Sequence, residues 1–255
     1  MSNPLTTLAA SLDDEIRVHI FSQPRAKAFA LAAYADAEDS GEGQIFDLAL
    51  HHVHESRLRR MLEIHRDDER RHAHILRERR DQLGLEVLDV PERLALVDRL
   101  SEAAGGVLDT AMNTDEQVAA AYALLYVIEE RALDEFQRSG TALARAGDVQ
   151  TSDLFLSIRK DEARHLRYCE AVGKAYDRDG FWARVDAMRA VELRVYGDQQ
   201  RQWTRHQLDS GYLRLPLWLD VAVRLSTALT GWLGTPALPP QVDDVRPPVP
   251  TAAAA

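Results

Sequence analysis

The sequence RDDERRH at residues 66–72 returns as RKDEARH at residues 159–165. Arg, Asp, Glu, Arg and His stand at the same offsets in both copies, and the second copy begins 93 positions after the first (159 minus 66). In each copy Glu precedes His by three positions, a spacing that places both side chains on one face of a helix, one turn apart. The repeat therefore predicts a site built from two similar halves.

The residues around both copies carry helical patterning, with strong helix formers and no alternating runs of β-branched residues. Thr114 and Gln117 have the spacing of a capping box, and Gly84 and Gly147 are typical helix-ending residues. Helices are predicted at 24–51, 55–83, 115–146 and 149–176.

Short turns within each pair of these helices predict two antiparallel hairpins. A connection of about 30 residues, which contains Pro91 and Gly105-Gly106, joins the hairpins. Two hairpins with a long crossover are typical of a ferritin-like bundle. The predicted fold is therefore all-α, with a ferritin-like four-helix bundle at residues 24–176.

The remaining residues divide into three further parts. Residues 1–23 form an N-terminal segment, residues 177–234 a C-terminal helical extension, and residues 235–255 a Pro/Ala-rich tail expected to be disordered. The extension contains predicted helices at 181–209 and 216–234. Asp220 and Arg224 lie in the middle of the second and argue against a membrane span, since burying them in lipid is costly. Packing against the bundle or a partner is favoured, and a helix lying on a membrane surface is the alternative.

The composition excludes several classes of function. A net charge of −10 argues against a nucleic-acid-binding protein, which needs a cationic surface. The single cysteine, Cys169, excludes a disulfide framework and a Cys-rich metal site. The N-terminus lacks a basic start followed by an apolar run, so no signal peptide is expected. We expect a cytoplasmic protein, and a homodimer.

Each predicted hairpin supplies one more carboxylate at a matching distance. Glu38 lies 31 positions before Glu69 (69 minus 38), and Glu129 lies 33 positions before Glu162 (162 minus 129). Glu38 and Glu129 each share their helix face with apolar residues. The candidate metal ligands, which are also the candidate catalytic residues, are Glu38, Glu69, His72, Glu129, Glu162 and His165.

Four carboxylates in a buried core need compensating positive charge. Two divalent cations would supply it, and carboxylate and imidazole ligands favour iron or manganese. Asp68 and Asp161 precede the motif glutamates and are expected to accept a hydrogen bond from the ligand histidine of the opposite hairpin. His65 and Glu42 are candidate additional ligands.

This pattern resembles the ferritin-like di-iron carboxylate superfamily, whose members carry two copies of a Glu followed about thirty residues later by Glu-x-x-His. The Asp-Glu-x-Arg-His form is similar to that of arylamine N-oxygenases and related di-iron oxygenases. The resemblance implies two iron ions, or a mixed manganese–iron pair, with O2 as co-substrate. In those oxygenases an extra His stands in the second ligand helix, whereas here position 158 is Ile and His65 stands in the first.

Three functions remain open from the sequence. The first is an O2-activating oxidase or oxygenase that acts on a small organic substrate and draws electrons from an external donor. The second is a ferroxidase or peroxidase, as in ferritins and rubrerythrins, whose substrate is iron or peroxide. The third is a helical interaction scaffold with a vestigial site.

Overall fold

The computed structural model describes residues 4–233, with side chains described for residues 11–39 and 45–225. The predicted all-α class is confirmed for this part of the chain. The helices are α1 (Pro4–Ser22), α2 (Pro24–Asp36), α3 (Glu42–Leu50), α4 (Ser56–Gln82), α5 (Leu96–Ala103), α6 (Asp115–Arg145), α7 (Val149–Tyr176), α8 (Phe181–Asp209) and α9 (Leu217–Leu233).

The helix predicted at 24–51 contains a change of helix type. Residues Ala37–Gly41 form a π-helical turn between α2 and α3. The turn after α3 is held by Arg59, whose guanidinium donates hydrogen bonds to the carbonyl oxygens of Leu50 (2.6 Å) and Val53 (2.9 Å). These contacts satisfy carbonyl groups left without a partner at the helix end, and α4 then returns along α2 and α3.

The second hairpin, α6 and α7, begins at the predicted capping box. The Thr114 side chain accepts a hydrogen bond from the Gln117 backbone, and the Gln117 side chain accepts one from the backbone of Thr114. Gly147 adopts a φ of 87° at the turn between the two helices, a conformation that costs a residue with a Cβ atom. Asp148 then caps α7 by accepting a hydrogen bond from the Thr151 backbone.

The two hairpins meet where α4 packs against α7. Arg79, near the end of α4, donates to Thr151 Oγ1 (2.7 Å) and Asp148 Oδ1 (3.1 Å), both at the start of α7. Farther along, His72 of α4 contacts Asp161 of α7. The pairing runs in opposite directions along the two helices, so the two copies of the repeated motif lie side by side.

Helices outside the two hairpins cover the same core. α1, in the segment to which the sequence analysis assigned no element, packs against α2 and α6, and α8 packs against α6 and α5. Two ion pairs join α8 to α6: Arg131 to Glu192 (2.7 Å) and Arg189 to Glu130 (2.8 Å). The long connection between the hairpins includes α5 and a 3₁₀ turn, Glu92–Leu94.

α9 packs against α8 near the end of the described chain. Leu219 and Val223 are buried, and Arg224 Nε lies 3.0 Å from Asp220 Oδ1 on the exposed side. Within residues 4–233, every helix is too short or too polar to cross a membrane. The tail predicted at 235–255 lies outside the described residues.

Candidate metal centre

The carboxylates and imidazoles singled out in the sequence converge in the buried core. Glu38 projects from the π-helical turn, Glu129 from α6, and the remaining side chains from α4 and α7. All are almost fully buried, with Glu38 the most exposed at 7%. The buried group comprises Glu38, His65, Glu69, His72, Glu129, Glu162 and His165.

These side chains form two sets of potential metal ligands. Within each set, the ligand atoms all lie within 4.8 Å of one another. One set is His65, Glu69, Glu129 and His165, and the other is Glu38, Glu69, His72 and Glu162. Glu69 belongs to both, so its carboxylate would be shared if each set held an ion.

In the first set, two histidines face two carboxylates. His65 Nε2 lies 2.8 Å from Glu129 Oε1 and 3.2 Å from Glu69 Oε1. His165 Nδ1 lies 2.8 Å from the same Glu69 oxygen. The rings of His65 and His165 stack with their centroids 3.8 Å apart.

In the second set, three carboxylates surround one imidazole nitrogen. His72 Nδ1 lies 3.0 Å from Glu38 Oε2, 3.2 Å from Glu162 Oε1 and 3.7 Å from Glu69 Oε2. The other oxygen of Glu162, Oε2, lies 3.0 Å from His165 Nδ1 in the first set. Glu162 therefore also extends between the two sets.

The outward-facing nitrogens of two of the histidines meet aspartates across the helix pair. His165 Nε2 lies 3.3 Å from Asp68 Oδ2, and His72 Nε2 lies 3.3 Å from Asp161 Oδ2. This is the arrangement expected from the sequence, in which each aspartate contacts the histidine of the opposite hairpin. An Nε2–H bonded to a carboxylate directs Nδ1 at the centre, and Nδ1 must release any proton that it carries before it can bind a metal ion.

Two arginines neutralise these aspartates. Arg71 lies 2.8 Å from Asp68 and 2.7 Å from Asp161, and Arg164 lies 2.6 Å and 2.8 Å from the same two residues. Although burial raises the pKa of Asp68, hydrogen bonds from His165, Arg71 and Arg164 outweigh it and hold that pKa well below its ordinary value. The aspartates are therefore ionised at neutral pH and remain hydrogen-bond acceptors.

The protonation of the central histidines follows from their surroundings. Burial and the neighbouring His165 lower the pKa of His65 well below its ordinary value. Burial also lowers the pKa of His72, but the nearby carboxylates of Glu162, Glu38 and Glu69 outweigh burial and raise it to about 12. The carboxylates around His72 thus stabilise a positive charge at the point where the second set of ligands converges.

The donor atoms fit a pair of divalent cations. Four carboxylates carry four negative charges, which two such ions balance, and desolvated carboxylates without that balance are costly. His65 Nε2 and Glu162 Oε1 are buried and, among the described residues, have no partner in proper hydrogen-bond geometry. The short contacts of each atom are explained if it points toward an ion held by the other members of its own set. Oxygen and imidazole donors favour iron, manganese or zinc over copper(I).

The structure brings all six sequence-predicted ligands together and adds His65, one of the two candidate additional ligands. The side chain of Glu42, the other candidate, lies outside the described residues. Glu38 reaches the centre from a π-helical turn, and such turns occur frequently at functional sites. The weak helix formers Gly41 and Gly43, three and five positions after Glu38, are the sequence signal for this irregularity.

A cavity of about 440 Å³ adjoins the centre. Glu38, Glu69, Glu129 and Glu162 line one part of it. The other walls come largely from α1, α2, α6 and α8, and include side chains that the sequence analysis did not single out. Among the latter are Arg17, Glu135, Ser139 and Tyr196.

The fold and site define an all-helical protein with two adjoining carboxylate–histidine clusters suited to a pair of metal ions. Comparison of the chain with protein-family models, with curated proteins and with solved structures gives no match. The clusters themselves therefore provide the argument for function.

Proposed function

We propose that this chain is a ferritin-like di-iron protein that activates O2 and oxidises a small organic substrate. The observation that carries the proposal is the cavity, since the four glutamates of the candidate metal centre line a space large enough for a small molecule. An enzyme that oxidises only iron or peroxide does not need such a cavity. The ferritin-like bundle is supported by the two helical hairpins and their long connection.

The residues have distinct roles in this proposal. Glu38, Glu129, His65, His72 and His165 would each hold one ion, with Glu69 and Glu162 extending between the two. Two iron ions, or a manganese–iron pair, would supply binding and reduction of O2 when bound. For an oxygenase, substrate, O2, two electrons and two protons give hydroxylated substrate and water, with the electrons supplied by an external donor.

The chain contributes orientation and exclusion of water. Asp68 and Asp161 fix the rings of His165 and His72, and the almost complete burial of the ligands keeps bulk water from the centre. The apolar walls of the cavity, which include Ile128 and Phe136, favour an apolar part of the substrate beside the ligands.

The test is anaerobic loading with Fe(II), measurement of bound metal by mass spectrometry, and then O2 consumption with an excess of reductant. We expect about two irons per chain and O2 consumption that continues beyond the bound iron. Glu162→Ala should lose both, whereas Glu170→Ala, two turns later on α7, should retain them. Iron that accumulates far beyond two per chain would instead indicate a ferroxidase. Iron binding equal in the Glu162→Ala variant and the unsubstituted protein would refute the metal centre and leave a helical scaffold.

A further inference from the structure

The cavity beside the candidate metal centre has an apolar interior. Its volume of about 440 Å³ falls within the usual range for small-molecule sites. Aliphatic and aromatic side chains from α1, α6 and α8 make up much of the lining, so the body of a ligand would be apolar. They include Ile16, Ile20, Phe21, Ile128, Phe136 and Trp203.

The two arginines that line the cavity are engaged by carboxylates of the protein. Arg17 donates two hydrogen bonds to Glu135, of 2.8 Å and 2.7 Å, and a third to Asp13. Arg131 donates to both oxygens of Glu192 and stacks over Tyr196 at 4.1 Å. Removing a buried arginine from its partner leaves an uncompensated charge, which is strongly unfavourable. These arginines are therefore poor sites for a carboxylate or phosphate group of a ligand.

The solvent-exposed part of the lining carries the opposite charge. Glu92 and Asp98, on the connection between the hairpins, line the cavity and are exposed. Asp36 lines the cavity as well and pairs with Arg77. The entrance is therefore rich in carboxylates.

The arginines of the same connecting segment have polar partners on α8. Arg93 contacts His206, and Arg99 pairs with Asp198 and Gln199 of α8. Neither arginine lines the cavity. Exposed carboxylates at the entrance of a cavity attract positively charged ligands and repel anions.

We propose that the cavity binds an amphiphilic aliphatic amine, with its apolar body inside and its protonated amino group at Glu92 and Asp98. The end remote from the nitrogen would then lie nearest the glutamates of the metal centre. Binding of the amine depends only on the cavity and its charges. The inference rests on the proposed function in one respect, which is that the end of the amine remote from the nitrogen is the site of oxidation.

Three probes with one apolar body and different head groups test the charge preference: phenylhexylamine, phenylhexanol and phenylhexanoate. Binding is followed through the fluorescence of Trp203, which lines the cavity, with Trp203→Phe identifying its contribution. At low salt the amine should bind about fivefold more tightly than the alcohol, and more tightly still than the carboxylate. The preference should shrink in about 0.5 M NaCl, which screens exposed charges.

Substitutions test which residues cause the preference for the amine. Glu92→Gln with Asp98→Asn should reduce the affinity for the amine to that for the alcohol, whereas Glu102→Gln, an exposed α5 residue outside the lining, should change nothing. Ala132→Phe should fill the cavity and abolish binding of all three probes, with circular dichroism reporting whether the variant folds. Should Ala132→Phe fail to fold, Ala33→Leu on α2 provides a smaller block.

Tighter binding of the carboxylate, binding of none of the probes, or an amine preference that survives the double substitution would each overturn the proposal. Because binding is measured in both metal-free and iron-loaded protein, it is separable from the reaction. An amine that binds as expected to a protein that consumes no O2 would refute the oxidase and leave this inference standing.

Discussion

Asp68 of α4 lies 3.3 Å from the Nε2 atom of His165 on α7, 97 positions away in the chain. The contact joins the aspartate of one motif copy to the histidine of the other. It orients the imidazole so that Nδ1 faces Glu69 and Glu162. Metal affinity should therefore depend on a residue that is not itself a ligand.

Asp68→Asn should weaken metal binding by about 10- to 100-fold, because an amide is a weaker acceptor for the imidazole N–H and can present a donor to it instead. Competition with a chromophoric chelator measures the change. Asp67→Asn serves as the control, since Asp67 is adjacent, exposed, and 3.4 Å from Arg66. Equal affinities in the two variants would show that the aspartate contact does not orient the histidine.

Glu69 and His65 differ in the number of ligand sets to which they belong. Because Glu69 is shared by both sets, Glu69→Ala should reduce bound metal from about two ions per chain to well below one. His65→Ala should remove or weaken one ion and retain the other, since His65 belongs to a single set. Mass spectrometry of reconstituted protein measures both, with Glu63→Ala on the same helix as control. An equal loss in both variants would contradict the assignment of Glu69 as a bridge.

Removal of metal should lower the stability of the protein. Ions that bind only the folded state stabilise it by about 2.7 kcal/mol per site at a free concentration one hundred times the dissociation constant. The melting temperature should therefore rise with added Fe(II) or Mn(II) and fall with a chelator. Glu162→Ala should show little of this dependence, and a metal-dependent rise as large as that of the unsubstituted protein would argue that the ions bind elsewhere.

The buried pair of Arg17 and Glu135 should make stability depend on pH. Burial raises the pKa of Glu135, but the charge and hydrogen bonds of Arg17 outweigh it and lower that pKa from 4.5 to about 2. A lowered folded-state pKa stabilises the protein above the unfolded-state value, and this contribution is lost as pH falls from about 4.5 to 2. Its size is roughly 3 kcal/mol at neutral pH.

Denaturant unfolding of metal-free protein measures this effect. Glu135→Gln should be less stable than the unsubstituted chain at pH 7, and the difference should shrink as the pH falls toward 3. Glu15→Gln, which removes an exposed ion pair with Arg145, should show a much smaller difference. A Glu135→Gln difference that is constant across this pH range would contradict the lowered pKa.

Gly173 marks a close approach between α7 and α8. A Cβ atom at this position would lie 2.1 Å from Cε2 of the Phe181 ring, so Gly173→Ala should lower the free energy of unfolding by about 1–3 kcal/mol. At Gly140 the nearest contact would be 3.1 Å, to a flexible leucine side chain. Gly140→Ala should therefore cost less, and guanidinium unfolding of both variants checks the order.

The candidate ligands were predictable because they follow from local periodicity. Within α4, helix geometry fixes His65, Glu69 and His72 on one face, so the spacing predicted Glu69 and His72 as ligands and made His65 a candidate. Glu129 could be distinguished from Glu130 in the same way. In the structure Glu129 joins the centre, and Glu130 pairs with Arg189.

The charged lining of the cavity was not predictable because it depends on contacts between distant segments. Arg17 and Glu135 are 118 positions apart and meet only because α1 packs against α6. Nothing in the local pattern of α1 identifies the helix that it contacts. Glycines close to Glu38 indicated an irregularity in the helix, because glycine has a low helix propensity. They did not specify that the irregularity is a π-helical turn.

The sharing of ligands between hairpins has a consequence for the two halves of the repeat. One set takes His65 and Glu69 from the first half and Glu129 and His165 from the second; the other adds Glu162 to three residues of the first half. A fragment that contains one hairpin keeps its whole motif and lacks part of each set. Each half of the chain is thus only a half-site, and bound ions would fasten the two halves together.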